Sequence, residues 1–71
     1  MTAIVWTSVR IALHTQPDGT VRAKSHIDFK GTVPEAEAIE RARHILKLDR
    51  SYDRGYLLNC LDIGNYEVTT A

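Results

Sequence analysis

The sequence predicts an α+β fold, a two-layer ββαββ sandwich with a four-stranded antiparallel sheet of order 2-1-3-4 and one helix packed on one face. Three observations carry that expectation. Two alternating segments flank a Pro-Asp-Gly turn, a helical stripe follows a capping signature, and two more apolar runs surround a Gly-Asn pair.

Residues 3–14 (AIVWTSVRIALH) are rich in Val, Ile, Trp and Thr, with Val5, Thr7, Val9, Ile11 and Leu13 on one parity. That is a strand pattern. The TQPDGT segment supplies type I turn chemistry and then a glycine free to take a left-handed conformation. Residues 20–30 (TVRAKSHIDFK) alternate again, Val21, Ala23, Ser25, Ile27 and Phe29 against Arg22, Lys24, His26, Asp28 and Lys30. A loop closed by Gln16 and Thr20 sets Val9 opposite Ile27 and Thr7 opposite Phe29. On the other face it sets Arg10 opposite His26, Ala12 opposite Lys24 and Trp6 opposite Lys30. Turn and alternation agree, and a slip of one residue would reverse the faces.

Residues 31–48 open with a capping box, Thr32 as N-cap and Glu35 three residues on, with Pro34 in the first turn. Ala38, Ile39, Ala42, Ile45 and Leu46 then recur at helical spacing. Glu35, Glu37 and Glu40 precede Arg41, Arg43, His44 and Lys47, the order that suits the helix dipole. The loop DRSYDRG leads to GYLLNCLDI and NYEVTT, expected to be two strands joined at Gly64–Asn65. In that register Asp62 opposes Glu67. Placing the third strand beside the first keeps the sheet antiparallel throughout, with the second and fourth as edges. Arg22, Lys24 and Lys30 would then discourage stray pairing at the second strand.

The 71 residues are expected to form a single domain, 1–71, burying about 60% of the unfolded surface. Nine basic and nine acidic residues cancel, so no global field steers the chain toward nucleic acid or an anionic membrane. The lone Cys60 forms no internal disulfide. The first residues lack a basic leader, and Arg10 interrupts their apolar stretch. A soluble, cytoplasmic protein is the expectation.

Chemistry-bearing patterns are weak. His14, His26 and His44 lack metal-ligand spacing, and no glycine-rich segment would cradle a phosphate. Cys60 stands among apolar residues without an oxyanion feature. No enzyme activity, cofactor or metal site is expected, and DRSYDRG suits a solvated connection better than a recognition loop.

The helix-free face is expected to carry Ile4, Trp6, Arg10, Ala12, His14, Arg22, Lys24, His26 and Lys30, with Tyr56, Leu58 and Cys60 beside them. A cationic row would border an apolar strip, the composition of protein contact sites. The expected function is a non-enzymatic protein-binding module acting through Trp6, Arg10, Arg22, Lys24, His26, Lys30, Tyr56 and Leu58. Its partner is another protein or, in a homodimer, a second copy. In size and style the chain is similar to small phage-encoded inhibitors such as anti-CRISPR proteins, which occlude a partner surface, although no motif carries that likeness. The alternative is a single-stranded nucleic-acid-binding module that stacks bases on Trp6 and Tyr56.

Overall fold

The computed structural model describes residues 3–50 and 53–71. Its elements are β1 (Trp6–Thr15), β2 (Val21–Lys30), α1 (Glu35–Leu48), α2 (Arg54–Asp62) and β3 (Tyr66–Thr70). The class is α+β, but the architecture differs from the expected one. Among the described residues there are three strands in the order β2-β1-β3 and two helices, not four strands and one helix. Both strand pairings are antiparallel.

The hairpin has the register anticipated from the turn: Trp6 opposes Lys30, Val9 opposes Ile27, Arg10 opposes His26 and Leu13 opposes Ala23. At its tip the Asp18 carboxylate accepts from the Thr20 hydroxyl and the Thr20 amide. Those bonds, the hydroxyl's foremost, lower the Asp18 pKa below its ordinary value.

The segment expected as a third strand is α2. Leu57, Cys60 and Leu61 are its buried residues, spaced as one helical stripe. No β-branched residue lies within 54–62 to resist the helix. Gly64 is not a hairpin turn but the residue that stops α2, with φ of 81°. The Asn65 amide donates back to the Cys60 carbonyl at 2.9 Å, the six-to-one bond of a Schellman cap. Asp62 therefore does not face Glu67. It accepts from Arg43 of α1, a bond that heads the causes raising the Arg43 pKa and ties the helices together.

Helix α1 begins after Pro34, with no side-chain cap bond, so the Thr32–Glu35 capping box is not formed. Pro34 lacks a donor and has a fixed φ, so the helix can start beside it without a side-chain cap. Ala38, Ala42 and Leu46 make its buried stripe, while Ile45 is 42% exposed. The DRSYDRG loop lies partly outside the described residues, at 51 and 52.

Strand β1 is the centre of the molecule, with Thr7, Val9 and Ile11 fully buried. Thr7 is the one buried polar side chain among the described residues. Its hydroxyl donates to the Gly31 carbonyl at 2.7 Å and accepts from the Val33 amide at 3.0 Å. The Thr70 hydroxyl lies 3.3 Å away, placed to donate into the remaining lone pair. One oxygen thus joins the end of β2, the entry to α1 and the end of β3.

At the other end of β1 the ladder changes phase. Trp6 and Ala71 exchange backbone bonds at 2.9 and 3.0 Å, so even-numbered residues of β1 face β3 and odd ones face β2. Ala12 obeys this, donating to the Asn65 carbonyl at 3.0 Å. Leu13 should turn to β2, yet its amide donates to Asn65 Oδ1 at 3.1 Å. Ala12 makes the reversal with φ of 63°. Expected on the open face, its side chain is instead in the core at 2% exposure.

Replacing Thr7 by Val keeps shape but leaves the buried Val33 amide unpaired. Urea unfolding of Thr7→Val should show a loss of about 1–3 kcal/mol.

Candidate interaction surface

The face away from the buried side chains of β1 is built from three strands. Trp6, Ser8 and Arg10 share it with Lys30, Asp28 and His26, their partners on β2. Thr69 and Glu67 of β3 pair with Ser8 and Arg10 from the other side. Arg10 donates to Glu67 at 3.1 Å, and Ser8 donates to Asp28 at 2.5 Å.

Arg10 also donates to the Val21 carbonyl at 3.1 Å. Val21 pairs with Thr15, five positions along β1, which in a flat ladder lies about 17 Å away. No arginine side chain spans that distance, so the hairpin curls over this face at the Ala12 reversal. The curl creates an open hollow of about 510 Å3 between Ser8, Arg10, Arg22, His26, Asp28 and Thr69.

Of the expected contact residues, the structure brings together Trp6, Arg10, Arg22, His26 and Lys30. Tyr56 and Leu58 are not on this face, because α2 carries them in the helical layer. Leu58 is half-buried against the core, and Tyr56 is exposed. Lys24 also leaves the row. Its ammonium lies 3.4 Å from Asp53 and 5.1 Å from the centre of the Tyr56 ring, an ion pair and a cation–π contact on one side chain. Cys60 is buried at 1% exposure.

The face is therefore more polar than its residues suggested. Ser8, Asp28, Glu67 and Thr69 belong to it as well. The Ser8–Asp28 pairing was implicit in the hairpin register, whereas Glu67 could be placed only once β3 was known to border β1. Its apolar part lies at the foot of the sheet. Trp6 is 45% exposed and follows Ile4 and Val5, at 61% and 37%. An open hollow of about 430 Å3 lies beside them, against Lys30 and Gly31.

Ser8, His26 and Asp28 form no catalytic relay. The Ser8 hydroxyl donates to the carboxylate, and His26 Nε2 is 3.7 Å from that same carboxylate. A nucleophilic serine needs the imidazole as its acceptor. Among the described residues no group of three or more His, Cys, Asp or Glu is placed to hold a metal ion. No helix of the described residues is long and apolar enough to cross a membrane. No protein-family model, curated protein or solved structure matches the chain.

Burial makes the Cys60 thiol inert in the folded state. An aromatic disulfide reagent should label it at the rate of global unfolding, and rapidly in urea. Fast labelling of native protein would contradict this placement.

Proposed function

We propose that the chain is a non-enzymatic protein-binding module whose contact surface is the open sheet face, centred on Trp6. The observation behind this reading is the half-exposed Trp6 beside Lys30, continuous with exposed Ile4 and Val5. Among the described residues Lys30 and Arg22 have no carboxylate partner. An aromatic anchor next to the Lys30 ammonium has the composition of a binding hot spot, and Arg22 stands farther along the same face, at the hollow beside Arg10 and His26. The complementary partner has a pocket for an indole, with acidic side chains within reach of Lys30 and Arg22.

Tyr56, Leu58 and Lys24 drop out of this surface. The module acts by covering part of its partner, which is also how an occluding inhibitor of the phage-encoded kind would work. A cytoplasmic setting belongs to the same proposal and rests on the single unpaired thiol.

Single-stranded nucleic acid is the competing ligand, with Trp6 as a stacking platform and Arg22 and Lys30 on phosphates. Two features disfavour it. Asp28 and Glu67 stand on the same face, and Arg10 is already paired with Glu67.

The test compares wild type with Trp6→Ala as bait, followed by titration of the recovered, purified partner. Loss of about 2 kcal/mol or more, roughly 30-fold in Kd, is the hot-spot result. Unchanged affinity sinks the proposal. So does tight binding to a single-stranded oligonucleotide that weakens steeply with salt.

A further inference from the structure

We propose that the free edge of β2 pairs with the same edge of a second copy, antiparallel about a two-fold axis at Ile27. Two three-stranded sheets would then join into one of six strands. This goes beyond the Trp6 reading, because it uses the strand edge rather than the sheet face.

Both β2 and β3 are edges, but β3 has five residues and β2 has ten. Short edge strands are protected from pairing, and a long one is a template for it. The direction of the β2 backbone groups follows from β1. Odd residues of β1 face β2 below the Ala12 reversal, as the Gly31 amide to the Val5 carbonyl at 2.6 Å confirms. Ser25, Ile27 and Phe29 therefore turn their backbone groups inward to Ile11, Val9 and Thr7. His26, Asp28 and Lys30 turn theirs outward, to an edge with no partner strand among the described residues.

An intermolecular ladder must match outward residues with outward residues. The axis at Ile27 does so and sets His26 of each copy opposite Asp28 of the other, a complementary pair. An axis at Asp28 would oppose two carboxylates, and one at His26 would set Arg22 against Lys30. The chosen register also faces Lys24 with Lys30. Lys24, however, is drawn away to Asp53 and Tyr56, so the repulsion that should guard this edge is relieved.

The helix side supplies the apolar component. Ile27 and Phe29 are only half-buried there, beside an open groove of about 490 Å3 in which Phe29 and Ile45 are flanked by Glu37, Glu40, Arg41 and His44. In the paired sheet, Ile27 meets Ile27 and Ser25 meets Phe29 of the other copy, so the two half-covered surfaces shield one another. Both pairs of helices fall on one side, and two Trp6 faces lie next to each other on the other.

Light scattering after size exclusion should give twice the 8.0 kDa monomer mass at micromolar concentration. His26→Pro removes an outward amide and no bond within the sheet, and should be a folded monomer by circular dichroism. Ile27→Cys should form an intermolecular disulfide under mild oxidation, and Ser25→Cys should form it far more slowly, since Cys60 is buried. Trp6→Ala should leave the mass unchanged. A wild-type monomer at near-millimolar concentration overturns the proposal. Equal cross-linking at Ser25→Cys and Ile27→Cys, or a folded dimeric His26→Pro, also overturns it. A Trp6→Ala monomer would move the self-contact to the sheet face and overturn the edge pairing while leaving Trp6 as a contact residue.

Discussion

A left-handed backbone at an alanine in a central strand costs about 1–2 kcal/mol relative to the ordinary strand conformation, and at Ala12 Asn65 offsets that cost. Its carbonyl takes the Ala12 amide and its side-chain oxygen takes the Leu13 amide. Two successive donors that strand alternation would send in opposite directions thus converge on one residue. The same Asn65 donates its own amide to the last turn of α2. A single residue therefore closes α2, starts the approach of β3 to β1 and sets the bend in the hairpin.

The other end of β1 is held by the Thr7 hydroxyl, which gathers the exits of β2 and β3 and the entry to α1. Between these two polar anchors lie Val9 and Ile11, fully buried. A chain of this size has little core to draw on, so a few well-satisfied polar contacts must specify how its elements meet. The bend has a surface consequence too. It brings Arg22 near Arg10 and His26 to form a hollow, and it accompanies the diversion of Lys24 to the helical layer.

The hairpin was legible because two independent signals, period-two alternation and turn chemistry, demand the same register. The C-terminal half was not. In GYLLNCLDI the apolar residues fit a strand parity nearly as well as a helical stripe, and nine residues are too few to separate the periods. Gly64 with Asn65 compounded the ambiguity, because a left-handed glycine serves a hairpin turn and a helix cap equally well. A strand over 55–63 would put Tyr56 and Leu58 in the sheet layer and give the open face an apolar strip, whereas α2 carries both residues in the helical layer. The Ala12 reversal had no local signal, since its cause is a side chain far along the chain. Trp6, Arg10, His26 and Lys30 were legible as one face because the hairpin register alone places them, whereas Arg22 and Lys24 take their positions from the bend at Ala12.

Native-state amide exchange at Leu13, compared between wild type and Asn65→Ala, addresses the central claim directly. The substitution removes the side-chain acceptor and leaves the Asn65 backbone bonds in place. Exchange at Leu13 should accelerate by about fivefold or more, since the lost bond is worth on the order of 1 kcal/mol or above. It should do so beyond any acceleration at Val9 and Ile11. Equal protection of Leu13 in the two proteins would show that Asn65 does not hold the reversal.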